Sequence, residues 1–508
     1  MKKSLVFKRD RLLLGSLLLV TLVFRLWTVM MIHTGIDERD YWYSAKAISQ
    51  GSSIDYQYIN HRTIRWGVIL PVTAQQLITG IGPNAYYVMP ILNALIQTVL
   101  MFFLGLNLFN RRTAVLATLA LIFFPYQIRA ASQVRPEIFS LTYILAMVWF
   151  FSRYCIEGQK KWQIKNLVFS SLMLFLAYEA KITNLFFMPG MFLLIFIMNP
   201  QHKYRHSLIF GALPLVGFVL ETVLYGVFAG YPMGHLQIIQ ANHLAGMESL
   251  SSFFEVFNRY RSPYLQAYWQ IPFILFACLT LWTLIKKRDK SLILLIVPAI
   301  SFFFFITFTI GGLHPLKMAE PFINRYFFAV LPMVFLVIFH YVDVILKRFG
   351  FITITSTQSI IVLCLGTVAF SVLFSLPIIP KKIQQYIVSP FSSQHPFSLN
   401  KEYRSKINHE WIEGTPLVAV DSGSGRDALQ TASWYYIDIS NYHGNSAPKI
   451  VSLLENNYDA IVSLEGRIPA SDATVLAFIR KPFKVRKISA KSLQLLESEA
   501  FPAEFREN

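Results

Sequence analysis

Long apolar runs separated by short clusters of lysine and arginine set the rhythm of this chain. The runs fall at 12–32, 84–109, 113–131, 137–152, 166–180, 182–199, 207–229, 268–285, 291–311, 325–346 and 354–379. Most are near or above the ~20 residues that carry a helix across a bilayer. The stretch 64–82 is different: Pro71 breaks it and Gln75 and Gln76 interrupt its apolar face. That pattern predicts a helix lying at the membrane interface. The basic clusters settle its placement. If 64–82 stays on one side, Lys2–Arg11, Arg111-Arg112, Lys160–Lys165, His202–His206, Lys286–Lys290 and Lys347-Arg348 all share one face. If it crosses, the positive-inside bias disappears. The pattern therefore predicts about eleven transmembrane helices, interfacial helices in the first outer loop, and a cytoplasmic N-terminus.

This topology leaves 33–83, 132–136, the turn near 179–183, 230–267, 312–324 and everything after 380 on the outer face. Those loops hold nearly all the unusual polar residues. Residues 380–508 change character: they are polar and punctuated by proline and glycine, with β-like runs at Leu417–Val420, Tyr435–Ile439, Ala460–Leu464 and Val475–Ile479. Helical patterns between the runs predict a small soluble α/β domain. The expected division is a membrane domain over 1–379 and an outer domain over 380–508. Within the latter, Asp421-Ser422-Gly423-Ser424-Gly425-Arg426-Asp427-Ala428 superficially resembles a nucleotide-binding turn. Its two aspartates would repel phosphate, so an ordinary strand–turn–helix is the expected reading.

Composition agrees with the pattern. Of 508 residues, 54% are hydrophobic and only 15% charged, with 44 phenylalanines, which defines an α-helical polytopic membrane protein. The net charge of +18 is no sign of nucleic-acid binding, because the cations sit in topology-setting clusters rather than in a stripe interleaved with aromatics. Cys155, Cys278 and Cys364 lie in or beside hydrophobic segments and predict neither a disulfide framework nor a cysteine metal site. The basic N-terminus resembles a signal n-region, but the apolar run after it is too long and lacks a small-residue exit, so an uncleaved first span is expected.

Candidate chemistry gathers on the outer side. Asp37 and Glu38 follow the first span directly, in Gly35-Ile36-Asp37-Glu38-Arg39-Asp40-Tyr41. A carboxylate there is either a solvated turn capping the next helix or a base held above the membrane. His61, Arg62 and Arg65 follow in the same loop, as a phosphate clamp or as side chains snorkelling to headgroups. Glu137, in Arg135-Pro136-Glu137, opens a span, where capping alone would account for it; a second active-site acid is the alternative. Glu179, Lys181, Glu221, His314, Lys317, Glu320 and Arg325 sit at the outer ends of spans. Ionisable groups at such depth pair with one another or line a wet cavity. Together they suggest a cavity for a phosphate-bearing amphiphile.

In Asp37-Glu38 with Tyr41 and Ala45–Gly51, His61-Arg62 with Gly67 and Leu70-Pro71, and Gly80-Ile81-Gly82, the chain resembles the bacterial membrane glycosyltransferases of the GT-C fold. The likeness continues in Arg111-Arg112 with Ala114 and Pro125, Ser132 with Val134 and Pro136-Glu137, Lys181 with Thr183 and Pro189, and Arg325-Tyr326 with Pro332. Glu221, Tyr225, Gly230-Tyr231-Pro232 and His243 follow a further pattern of bacterial members. The resemblance covers roughly residues 10–380 and is to the relatives of dolichyl-phosphate-mannose protein mannosyltransferases and of the lipid A aminoarabinose transferase.

The resemblance implies a polyprenyl-phosphate sugar donor, a lipid, glycan or protein acceptor, and inverting transfer on the periplasmic face of the bacterial inner membrane. It implies that Asp37 activates the acceptor, with Glu38 beside it, and that Lys181 and Arg325 contact the donor phosphate. Glu137 stands where relatives often carry Asp. The expected catalytic residues are thus Asp37, Glu38 and Glu137. The expected substrate contacts are Tyr41, His61, Arg62, Arg65, Lys181, Glu221, His314, Arg325 and Tyr326. No cofactor is expected; some relatives use a divalent metal, but no ligand cluster beyond Asp37 and Glu38 argues for one. Two other classes remain: a flippase or transporter of a lipid-linked envelope precursor, and a non-catalytic scaffold with an outer binding module. Against a transporter stand the absence of visible half-to-half symmetry and the charges gathered at one face rather than at the midplane.

Overall fold

The structure, a computed structural model, describes residues 2–29, 36–51, 61–81, 84–156, 160–234, 237–238, 248–249, 267–286, 289–308, 310–313, 316–318, 324–349, 417–420, 449–452, 460–463 and 475–477. Every apolar run before residue 350 carries a helix among its described residues; 354–379 lies outside the described residues. The helices are α1 (Lys2–Trp27), α2 (Ile36–Ser49), α3 (Trp66–Thr79), α4 (Val88–Leu108), α5 (Arg111–Phe123), α6 (Pro125–Ala130), α7 (Pro136–Ile156) and α8 (Lys160–Ala180). They continue as α9 (Met188–Met198), α10 (Lys203–Ala229), α11 (Ala267–Lys286), α12 (Lys290–Thr307) and α13 (Leu331–Arg348). Short 3-10 turns, Ile182–Phe187 and Asn324–Val330, lead into α9 and α13.

Among the described residues five helical stretches are both long and apolar enough to cross a membrane: Ala85–Leu108, Pro136–Ile156, Lys203–Ala229, Lys290–Thr307 and Arg325–Arg348. The chain is a multi-pass membrane protein, and this number is smaller than the eleven spans expected. One reason is local. The expected single span over 113–131 is broken: Phe124 is extended (φ −62°, ψ 128°), and Pro125 opens α6 behind it. Proline disfavours a helical conformation in the residue before it and suits the first position of a new helix. Another reason is that the helix over 182–198 begins as 3-10 and is short. Helix α3 has 14 residues, about 21 Å at ~1.5 Å per residue, which falls short of a ~30 Å hydrocarbon core.

Several helix ends are set by single polar residues. The Asn110 side chain accepts from the Arg112 and Thr113 amides at 3.0 and 3.2 Å and starts α5. Asp289 accepts from the Ser291 amide at 2.8 Å and starts α12. Each satisfies amides that the first turn otherwise leaves unpaired. The bundle centres on α7, which packs between α4 and α8. Buried polar bonds fix this centre: Gln97 donates to the Ile138 carbonyl at 2.7 Å and to Thr142 Oγ1 at 2.9 Å, and Gln127 donates to Gln97 Oε1 at 2.7 Å. Where apolar helices meet lipid on one side and each other on the other, such bonds and small residues specify the contact. Gly67 is one such residue, since a Cβ there would lie 2.5 Å from the Leu176 carbonyl and 2.6 Å from the Ala180 amide. Only glycine lets α3 lie on the end of α8.

Two small sheets complete the description. Strands β1 (Glu248–Ser249), β3 (Leu316–Met318) and β2 (Ile310–Leu313) form an antiparallel sheet in that spatial order, which the sequence reading did not anticipate. Strands β4 (Leu417–Val420), β5 (Lys449–Ser452), β6 (Ala460–Ser463) and β7 (Val475–Ala477) pair in parallel in the order β5-β4-β6-β7. Three of these were expected from their β-branched runs; β5 was missed, and the expected strand Tyr435–Ile439 lies outside the described residues. Parallel pairing demands crossover connections rather than hairpins.

Candidate active site

Four helix ends place charged side chains at one end of the bundle: the start of α2, the turn before α7, the end of α8 and the 3-10 turn before α13. The turn Ser132–Arg135 is pinned from below and beside. Ser132 Oγ donates to the Thr28 carbonyl at 3.4 Å, and the Val134 amide donates to Tyr86 Oη at 2.9 Å. Arg135, so held, donates through Nε to Glu38 Oε1 on α2. Glu38 is fully buried (0% exposed), and its Oε2 has no hydrogen-bond partner among the described residues.

Two residues on, Glu137 opens α7 and is 3% exposed. Lys181 Nζ lies 2.9 Å from Glu137 Oε1, and Arg325 Nε lies 3.9 Å from the same oxygen. Glu137 Oε2 has no hydrogen-bond partner among the described residues. Both cations neighbour one aromatic ring: Lys181 Nζ is 4.2 Å and Arg325 Cζ 5.7 Å from the centroid of Tyr326. Tyr126 on α6 packs edge-on to Phe328 at 5.1 Å, and its buried hydroxyl has no partner among the described residues. Arg129, also on α6, makes a 3.4 Å contact to Gln133 Oε1 and stands in the fields of Arg135, Glu38 and Glu137.

Beside this centre lies a second layer. Arg65 Nη1 donates to Tyr41 Oη at 2.7 Å and its guanidinium covers the Tyr41 ring. Arg62 pairs with Asp40 at 3.2 Å. Trp66 Nε1 donates to Tyr225 Oη at 2.8 Å, and Tyr178 Oη donates to Glu221 Oε2 at 2.7 Å. Glu179 is buried on the same side.

Charge and burial act against each other here. Burial lowers the Lys181 pKa most strongly; Glu137 pulls it up, while Arg325 and Arg65 push it down, and the net value is about 8 rather than 10.5. For Arg135, burial also works to lower the pKa, but Glu38 and Glu137 outweigh it and the guanidinium is held more firmly charged than usual. Removing a charge from water costs most where its partners are few, so each cation depends on its carboxylate.

The structure therefore brings together Glu38, Glu137, Lys181, Arg325 and Tyr326, with Tyr41 and Arg65 adjacent. Glu137 is no simple helix cap, because two cations from other elements hold its carboxylate. Arg62 and Arg65 contact Asp40 and Tyr41 of α2, so they tie the segment before α3 to that helix. Glu221 lies on the α8–α10 side with Tyr178. Asp37 is in α2, but its side chain, like all of His314, Glu320 and His243, lies outside the described side chains. His61 sits in the turn before α3. Sequence reasoning missed Tyr126, Arg129 and Arg135 as members of the cluster. A signal existed for the arginines, since both fall near the end of an apolar run. It also passed over Arg25, a buried arginine inside the first apolar run that donates to the Ile122 carbonyl where α5 breaks. Among the described residues no three His, Cys, Asp or Glu side chains converge as ligands for a metal ion.

The multi-helix membrane bundle has the GT-C fold. Residues 72–225 match the family model described as Dolichyl-phosphate-mannose-protein mannosyltransferase. ArnT from Cupriavidus metallidurans in the apo state superposes with a TM-score of 0.50 at 13% identity, covering 83% of this chain and 84% of ArnT. The same ArnT bound to Undecaprenyl phosphate gives a TM-score of 0.50 at 13% identity, covering 84% of each chain. No curated protein matches the chain in a sequence search.

Proposed function

We propose that this protein moves a sugar from a polyprenyl-phosphate carrier to a cell-envelope acceptor on the periplasmic face of the bacterial inner membrane. One observation carries the reading: Glu38 and Glu137 stand within a single cluster with Arg135, Lys181 and Arg325 at one end of a lipid-embedded bundle. The family match and the shared fold with ArnT support a lipid-linked donor.

The chemistry follows from the charges. The acceptor oxygen attacks the anomeric carbon from the face opposite the phosphate, so the configuration inverts. The bond from that carbon to the phosphate oxygen breaks, and the electron pair stays on the phosphate. Asp37, one residue before Glu38 in α2, takes the acceptor proton. Lys181 and Arg325 stabilise the charge that builds on the leaving phosphate in a water-poor site. Glu38, locked to Arg135, orients α2 and thus the base. The reaction so written needs no resident cofactor.

The test uses purified full-length protein, a radiolabelled polyprenyl-phosphate sugar and membrane lipid acceptors. Label should pass to an acceptor, and Asp37→Asn should abolish transfer while expression is retained. Undiminished transfer in Asp37→Asn removes that residue from the mechanism. Movement of the lipid across the bilayer without transfer would favour the flippase.

A further inference from the structure

Lys181 and Arg325 come from distant segments of the chain, yet both approach one oxygen of one buried carboxylate, at 2.9 and 3.9 Å. The arrangement is lopsided. Glu137 Oε1 meets both cations, while Oε2 meets no donor among the described residues. A carboxylate placed for structural pairing engages both oxygens where it can, because each unpaired buried oxygen is costly. The Tyr326 ring gives both cations a second contact besides Glu137. Arg325 is also the most open member, with a side chain 29% exposed against 7% for Lys181.

We infer that Glu137 Oε1 marks the seat of the donor's phosphate, and that Glu137 occupies this seat until the phosphate displaces it. The inference rests on the polyprenyl-phosphate reading above and adds to it a built-in competitor. A phosphate oxygen has the charge and the acceptor lone pairs to replace the carboxylate between the ammonium and the guanidinium. The displaced carboxylate has somewhere to go. Tyr126 holds a buried hydroxyl without a partner among the described residues, and the charges of Glu137 and Arg135 both act on it. Donor binding thus trades one anion for another between Lys181 and Arg325, and Glu137 turns toward Tyr126 and Arg135.

The experiment measures binding of undecaprenyl phosphate to the full-length protein in lipid nanodiscs. At a pH far enough below 8 that Lys181 stays charged without its carboxylate, removing the competitor in Glu137→Gln should tighten binding, on the order of tenfold, a change of ~1.4 kcal/mol. Lys181→Met should weaken it, and Tyr126→Phe should weaken it less, by leaving the displaced carboxylate without its hydroxyl donor. Equal or weaker binding in Glu137→Gln, with weaker binding in Lys181→Met, overturns the seat but leaves the phosphate reading standing. Unchanged binding in Lys181→Met overturns both. Should Glu137→Gln not purify folded, Glu137→Asp retracts the carboxylate by one methylene and should shift affinity in the same direction; no tightening there also overturns the inference.

Discussion

Arg135 and Glu38, separated by 97 positions in sequence, meet as a buried ion pair that joins the entrance of α7 to α2. The pair fixes the helix that carries Asp37 relative to the one that carries Glu137. Removing one partner of a buried pair leaves the other charge without compensation, which costs more than removing both. Glu38→Gln is therefore expected to destabilise the protein by about 3 kcal/mol. The double variant Glu38→Gln/Arg135→Gln should recover part of that loss. Thermal unfolding of the detergent-solubilised protein measures both. An additive double variant would mean that the pair does not hold α2.

Lys181 gives the site a pH limit. Its ammonium titrates near 8 because burial, assisted by Arg325 and Arg65, outweighs the pull of Glu137. Binding of undecaprenyl phosphate should fall as pH rises through about 8, since the cation is then lost. Lys181→Arg, which stays charged, should move that loss to higher pH. The effect on stability has the opposite sign. The folded value lies below the unfolded one, so the unfolded chain binds the proton more tightly, and this group's contribution to stability rises as pH climbs from about 8 to 10.5. A binding profile flat from neutral to alkaline pH would exclude Lys181 as the titrating contact.

Gly67 sets how closely α3 lies on the end of α8. Gly67→Ala would drive a methyl group into the Leu176 carbonyl and the Ala180 amide, backbone atoms that cannot swing aside. A loss of about 2 kcal/mol is expected, with transfer reduced because α8 ends one residue before Lys181. Gly15→Ala provides the contrast, since nothing lies within 4 Å of a Cβ there. That substitution should be neutral or slightly stabilising, as alanine is the better helix former. Equal unfolding midpoints for the two variants would refute the close approach.

At the far end of the bundle, Asp343 of α13 accepts from Asn110 Nδ2 at 2.9 Å and pairs with Arg112 at 3.5 Å and Lys347 at 2.5 Å. Asp343→Asn should loosen the contact between α5 and α13 and lower the unfolding midpoint. Donor binding at the opposite end should be nearly unchanged. A large loss of binding would show that the two ends are coupled.

Much of the helical frame was legible because hydrophobicity is a local property. Runs such as 84–109 and 207–229 are apolar whatever they pack against, and the structure returns Val88–Leu108 and Lys203–Ala229. The 14-residue helix over 66–79 was legible too, because proline and two glutamines shorten its apolar stretch. What proline does at 125 was less so: the residue alone does not say whether a helix bends or breaks, and here Phe124 turns extended and α6 starts anew.

The acids and bases divide in the same way. The sequence by itself determined a multi-pass membrane chain with ionisable residues gathered near the ends of its apolar runs, because each uncompensated charge in lipid must have a purpose or a partner. It named Glu38, Glu137, Lys181 and Arg325 as candidates. Only the tertiary structure decided which charge answers which. Arg135 goes to Glu38, Lys181 and Arg325 go to Glu137, and Arg65 goes to Tyr41. Electrostatic pairing depends on distance in space, and α2, α7, α8 and the turn before α13 are brought within a few ångströms only by how the helices pack.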